Sequence, residues 1–124
     1  MALKVKVKVG NITNLSDARY CAGMGVDMLG FATIKGAAFH ITADLYQQLR
    51  GWISGPSYVA QVAGLQNAGA LAEIVEQFQP DYLEVDLPTL EIIGNATSLP
   101  LIVKVARSDE SIREQLDSLR QQIA

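Results

Sequence analysis

The sequence predicts an α/β fold in which about five parallel βα units form part of a (β/α)₈ barrel. Strand-like and helix-like stretches alternate along the chain, and no linker rich in proline, glycine or serine separates them. Hydrophobic residues make up 49% of the 124 residues, which suffices for one core, so we expect residues 1–124 to form a single domain. The pattern alone leaves a doubly wound open sheet as the alternative.

The first two units follow from alternation, caps and helical periodicity. Lysine and valine alternate over 4–9, which predicts a strand over 3–9, and Asn14 is placed to cap a helix over 15–24. Residues 27–33 predict a second strand, and Thr42 is placed to cap a second helix. Apolar residues recur in this helix at helical spacing: Leu45, Leu49, Trp52 and Ile53.

Three more units complete the pattern. A third helix begins at Asn67 or Gly69, a short fourth helix begins at Pro88 and Thr89, and Ser108 is placed to cap the last helix. Strands are predicted at 57–65, 81–87 and 99–107.

Composition argues against several classes of protein. The net charge is −3 and the ten basic residues form no dense cluster, so we expect no nucleic-acid partner. The single cysteine, Cys21, cannot form a disulfide within the chain, and we interpret it as a small buried apolar side chain. We find no signal peptide and no run of about 18 apolar residues, which predicts a cytoplasmic protein with no membrane partner. No residue pattern indicates a metal or a cofactor.

The stretch VKVGNITNLSDARYCAGMGVDMLGF resembles the first βαβ unit of phosphoribosylanthranilate isomerase, the barrel enzyme of tryptophan biosynthesis, with the match in residues 8–31. That family opens with Lys-[Ile/Val]-Cys-Gly-Ile-Thr and continues to Gly-Ala-Asp and Leu-Gly-Phe. Weaker similarity continues in FHIT (39–42), YVAQVAGLQN (58–67) and PDYLEVD (80–86). The family closes its barrel with eight units, so the resemblance implies a truncated relative that corresponds to the first five units.

The catalytic residues of the family do not carry over. Its general-base cysteine aligns with Gly10, the next glycine with Asn11, and its substrate-binding arginine with Phe39. Its fourth-strand histidine and glycine align with Asp86 and Leu87, and its general-acid aspartate and phosphate-binding loops belong to strands six to eight. The resemblance therefore predicts no catalytic residue in place.

Two acids are weak candidates for replacement catalysis. Asp86 and Asp109 follow the fourth and fifth predicted strands, at the end where barrel enzymes keep their chemistry. Both also suit a plainer role, as a solvated strand-end acid and as an acid favoured at a helix N-terminus. His40 precedes a helix cap, and we interpret it as a surface loop residue.

Alternation assigns polar side chains to the concave face of such a barrel. In the family the strand-one cysteine points into the mouth, so Gly10 does too, and the lysines at alternate positions share its side. The same alternation on the later strands turns Gln61, Tyr82 and Glu84 inward. The predicted ligand or interface residues on this face are Lys4, Lys6, Lys8, Asn11, Glu84, Asp86 and Lys104.

Such charges need partners, and two arrangements supply them. Lys6 or Lys8 pairs with Glu84 and Asp86 within one chain, or two half-barrels meet and pair their charges near a seam. We favour association into a homodimer or another homo-oligomer, because a half-barrel leaves sheet edges with unpaired backbone groups.

We therefore expect an isomerase-like scaffold without isomerase activity that self-assembles or binds a small anionic ligand or a protein. The alternative is an active phosphosugar isomerase completed by dimerisation.

Overall fold

The computed structural model describes residues 6–94 and 97–104, and these form five parallel strands in one sheet with helices between them. The strands are β1 (Lys8–Val9), β2 (Met28–Ala32), β3 (Ser57–Gln61), β4 (Tyr82–Val85) and β5 (Leu101–Val103). The helices are α1 (Leu15–Gly23), α2 (Ala43–Trp52), α3 (Gly69–Phe78) and α4 (Leu87–Ile93).

Strand order decides between the two predicted architectures. The order across the sheet is β1-β2-β3-β4-β5, the same as along the chain. A doubly wound sheet reverses its order at a switch point, whereas a (β/α)₈ barrel does not. The prediction of a partial barrel with five parallel βα units is therefore confirmed, and the sheet curls into a half-barrel.

Within residues 6–94 and 97–104, the strands are shorter than the predicted segments. Residues 6 and 7 precede β1 without strand structure, and β3 ends at Gln61, four residues before the predicted end. The backbone leaves the sheet there because Val62 and Leu65 form a turn, in which the Leu65 N–H donates to the Val62 carbonyl at 3.1 Å. The predicted last helix after Ser108 lies outside the described residues.

Two of the predicted helix caps are observed, and in both the capping side chain bonds to a backbone N–H three residues further along the chain. Asn14 and Thr42 cap α1 and α2 as predicted, accepting hydrogen bonds from backbone N–H groups three residues on. α3 begins at Gly69, one of the two predicted positions, although its N-cap is Ala68, which supplies no side-chain bond. The Asn67 Oδ1 instead accepts from the Ala70 N–H at 2.9 Å.

The core lies between the outer face of the sheet and the helices. On β2, β3 and β4 the alternate residues that point outward are almost completely buried there, as the hydrophobic effect requires. On α2 the buried residues are Tyr46 and Leu49, whereas Trp52 is 75% exposed, so its predicted place on the buried face is wrong. Every helix in the described part of the chain is too short or too polar to cross a membrane. The largest fully buried side chains are Leu29, Phe31, Ile41, Tyr46, Leu71 and Leu83.

An arginine connects α2 to the end of α3 through this core. The Arg50 Nη1 donates to the Tyr46 hydroxyl at 3.1 Å and to the Phe78 carbonyl at 3.0 Å, and its guanidinium lies 4.7 Å from the Tyr58 ring centroid. Burial raises the pKa of Tyr46 to about 12, although the positive charge of Arg50 opposes the shift. Burial also raises the pKa of Tyr58.

Candidate functional site

The end of β1 carries a short polar turn at Gly10 and Asn11. Asn11 adopts a left-handed backbone conformation with φ 57°, which asparagine tolerates better than most residues. Its N–H donates to the Gln61 Oε1 at 2.8 Å, and the Gln61 Nε2 donates back to the Asn11 Oδ1 at 3.3 Å. The Gln61 side chain thus reaches from β3 across β2 and fixes the turn that follows β1.

Two glycines make room for this glutamine. A Cβ on Gly10 would lie 3.2 Å from the Gln61 Oε1, and a Cβ on Gly30 would lie 2.9 Å from the same atom. The Gly30 Cβ would also lie 3.1 Å from the Gly10 Cα. The carboxamide therefore packs against the position where the resemblance expects the general base.

An ion pair joins β1 to β4 across the concave side. The Lys8 Nζ lies 2.5 Å from the Glu84 Oε1, and the two side chains are 23% and 7% exposed. In a flat sheet these strands would lie about 14 Å apart, three strand spacings, so the pair requires the sheet to curl toward its inner face. For Lys8 and Glu84, the structure shows the predicted pairing within one chain.

Asp86 occupies a different position from its neighbours on the inner face. It is the N-cap of α4, and its Oδ1 accepts from the Thr89 N–H at 2.9 Å. Thr89 is buried and accepts in turn from the Gly64 N–H at 3.0 Å through its hydroxyl. One carboxylate oxygen of Asp86 therefore caps α4, whereas the sequence suggested a solvated acid at the end of a strand.

The other predicted lysines lie apart from this centre. Lys6 is exposed and lines a groove of about 400 Å³ at the N-terminal ends of the strands, together with Asp27 and Tyr82. Lys104 is exposed just after β5, and its N–H donates to the Val85 carbonyl at 2.8 Å. The predicted residues Lys4 and Asp109 lie outside the described residues.

The other reactive side chains add no further site. Cys21 is partly buried against the core, and His40 is half-buried beside the end of β2, where it forms a single bridge with Ala32. Phe39, at the position of the family's arginine, is 52% exposed. Among residues 6–94 and 97–104, no group of histidine, cysteine and acidic side chains is arranged to hold a metal ion.

The structure thus brings together Lys8, Glu84, Asn11 and Gln61 around Gly10. Sequence alternation placed Gln61 on the inner face but gave no sign of its bond to Asn11. Gly30 was missed, although a glycine inside a predicted strand is a recognised indication of close approach. This cluster supplies hydrogen-bond donors and acceptors together with a neutralised charge pair.

No sequence profile of a protein family and no curated protein matches the chain. Solved structures do match. Phosphoribosylanthranilate isomerase from Thermotoga maritima superimposes with a TM-score of 0.77 at 20% identity, covering 94% of this chain and 58% of that one. The enzyme from Thermus thermophilus gives 0.67 at 19% identity, with 80% and 50% covered.

A third match extends the set to Pyrococcus furiosus. Its isomerase gives a TM-score of 0.67 at 14% identity, covering 96% of this chain and 61% of that one. The chain thus spans about half to three fifths of the length of these enzymes. The described strands and helices therefore have the fold of part of a phosphoribosylanthranilate isomerase.

Proposed function

We propose that this chain is a phosphoribosylanthranilate isomerase-like scaffold that lacks isomerase activity and self-assembles. The observation that carries the proposal is Gly10, at the position of the family's general base. A glycine has no side chain to accept a proton from the substrate carbon, and the nearest polar group is the Gln61 carboxamide at 3.2 Å from its Cβ position. A carboxamide donates and accepts hydrogen bonds but does not take up a proton near neutral pH.

The remaining polar groups support the same proposal. Lys8 is the nearest amine to Gly10, with its Nζ 3.4 Å from the Cβ position, but its charge is paired with Glu84. Asp86 holds the start of α4 through one of its oxygens. Neither group is arranged as the acid or base that an aldose–ketose isomerisation needs on opposite sides of the reacting carbons.

A turnover assay tests the proposal. Purified protein is mixed with phosphoribosylanthranilate, and we expect no product above the uncatalysed rate. Turnover at more than about 10 s⁻¹, a usual enzyme value, would overturn the inactive assignment. If turnover is found, Asp86→Asn and Asp109→Asn test the alternative, an active isomerase completed by dimerisation. That alternative predicts that one of the two variants abolishes the turnover.

Self-assembly has a separate test. A parallel half-barrel presents backbone hydrogen-bonding groups at its outer strands, and pairing with a second chain satisfies them. We expect sedimentation velocity at micromolar concentration to show a homodimer or a larger homo-oligomer. A well-behaved monomer would contradict the proposal.

A small anionic ligand is the other proposed occupant of the concave face. Because Glu84 neutralises Lys8, Lys6 and Lys104 are the lysines that would attract it. Titration with inorganic phosphate measures the binding. Lys6→Met and Lys104→Met are made separately, because Lys6 precedes β1 and Lys104 follows β5, and one of the two should remove the binding. Lys35→Met, on an exposed loop lysine, is the control and should leave it unchanged.

A further inference from the structure

We propose that a second copy of the chain docks along the two outer edges of the sheet, with β1 of each copy hydrogen-bonded in parallel to β5 of the other. The inference rests on the proposed self-assembly and adds the surface, the symmetry and the register. Among the described residues, β1 pairs only with β2 and β5 only with β4. Each edge therefore offers one side to another strand.

The hydrogen bonds of β1 show which of its backbone groups face outward. The Val7 carbonyl accepts from the Met28 N–H at 3.1 Å, and Val9 lies opposite Leu29, so alternate residues bond to β2. In a parallel ladder the N–H and C=O of one residue point to the same side, and those of the next point to the other. The peptide groups of Lys8 and Gly10 therefore face away from β2.

The same argument applies to β5. The Pro100 carbonyl accepts from the Leu83 N–H at 3.0 Å, and the Lys104 N–H donates to the Val85 carbonyl at 2.8 Å. Even-numbered residues of this strand thus bond to β4. The N–H and C=O groups of Leu101 and Val103 are left facing away from it.

The two edges are complementary in direction and in side chains. A two-fold axis along the strands places β1 of one copy beside β5 of the other in the same direction, and it closes both seams at once. Keeping each side chain on its own face requires an inward residue opposite an inward one, so we place Lys8 opposite Ile102 of the second copy. Val7 then stands beside Leu101 of that copy.

Burial and charge favour this arrangement. Val7 is 42% exposed, and Leu101 and Val103 are partly buried, so the seam would continue the apolar layer beneath the helices. Lys8 is already paired with Glu84 of its own chain. Placing the apolar Ile102 of a second copy beside Lys8 therefore leaves neither charge of this pair without its partner.

Cysteine pairs test the register. In a Cys21→Ala background, Val7→Cys with Leu101→Cys puts two cysteines opposite each other on neighbouring strands, about 5 Å apart, which a disulfide spans. We expect a disulfide-linked dimer on a non-reducing gel under mild oxidation. Val7→Cys with Ile102→Cys is the matched control, since its cysteines lie on opposite faces of the sheet, and we expect at least fivefold less linked dimer.

A proline tests the backbone bonds. Val103→Pro removes an N–H that faces away from β4, so the chain's own ladder is kept. We expect the dimer dissociation constant from sedimentation to rise at least tenfold relative to Val103→Ala, with the far-UV circular dichroism of the two variants alike. Equal constants would overturn the inference.

The outcomes separate this inference from the proposed self-assembly. A wild-type dimer whose 7/101 cysteines link no better than the 7/102 control overturns the edge arrangement and leaves self-assembly standing. A wild-type monomer overturns both.

Discussion

Replacing Lys8 by methionine tests whether an internal ion pair holds the curl of the sheet. Methionine keeps the apolar stem but leaves the Glu84 carboxylate, whose side chain is 7% exposed, without its cation. Breaking a fully buried pair costs about 3–5 kcal/mol. Because Lys8 is 23% exposed and water reaches its end of the pair, we expect a loss of about 3 kcal/mol in the free energy of unfolding. Glu84→Leu leaves the more exposed ammonium instead and should cost about half as much.

Urea unfolding followed by far-UV circular dichroism measures these changes. The double variant Lys8→Met with Glu84→Leu leaves no unpaired charge, so its loss should be about 3 kcal/mol smaller than the sum of the single losses. Lys35→Met, at an exposed loop lysine, is the control and should stay within about 0.5 kcal/mol of wild type. Additive single losses, or a Lys8→Met loss no larger than the control, would refute the role of the pair.

Three further predictions concern the glutamine, the α4 cap and the tyrosine core. Gly30→Ala should lower the free energy of unfolding by about 1–3 kcal/mol because its Cβ meets Gln61, and by less in a Gln61→Ala background; equal losses in urea would contradict the contact. Asp86→Ala should cost about 1 kcal/mol by removing a helix cap, whereas Asp86→Asn keeps an accepting oxygen and should cost less; equal urea midpoints for the two variants would count against the cap. Folding favours protonated Tyr46, whose pKa rises from 10.0 to about 12, so its contribution is complete below pH 10 and is lost as pH rises through 12. The melting temperature should therefore fall less steeply between pH 9 and 12 in Tyr46→Phe, and identical slopes would exclude this effect.

The fold was predictable because its determinants are local. Asn14 and Thr42 cap helices through bonds that span three residues, and alternation together with the inward Gly10 that the resemblance implies placed Lys8 and Glu84 on one face. Strand order could not be obtained this way, since it depends on how the units pack. Trp52 shows the limit of helical spacing, because it lies at the last residue of α2, where the core no longer covers it, whereas Tyr46 is buried and contacts Arg50.

The site was less predictable because it depends on register between strands. The Gln61 contact with Asn11 joins residues fifty positions apart and requires β1, β2 and β3 to be aligned with glycines beneath the carboxamide. Alternation predicted an inward Asp86, but the strand ends at Val85 and the next residue turns to begin α4. The alternation of side chains along a strand does not indicate the residue at which the strand ends.

The contact of Gln61 with Gly10 also limits how such a chain can change over generations. A Cβ gained at position 10 would lie 3.2 Å from the Gln61 Oε1, so the carboxamide that accepts from the Asn11 N–H would have to shift by a few tenths of an ångström. Conversely, shortening Gln61 leaves the Asn11 N–H without this partner and opens space above both glycines. A larger side chain at position 10 therefore calls for a change at position 61, which couples the end of the first strand to the third.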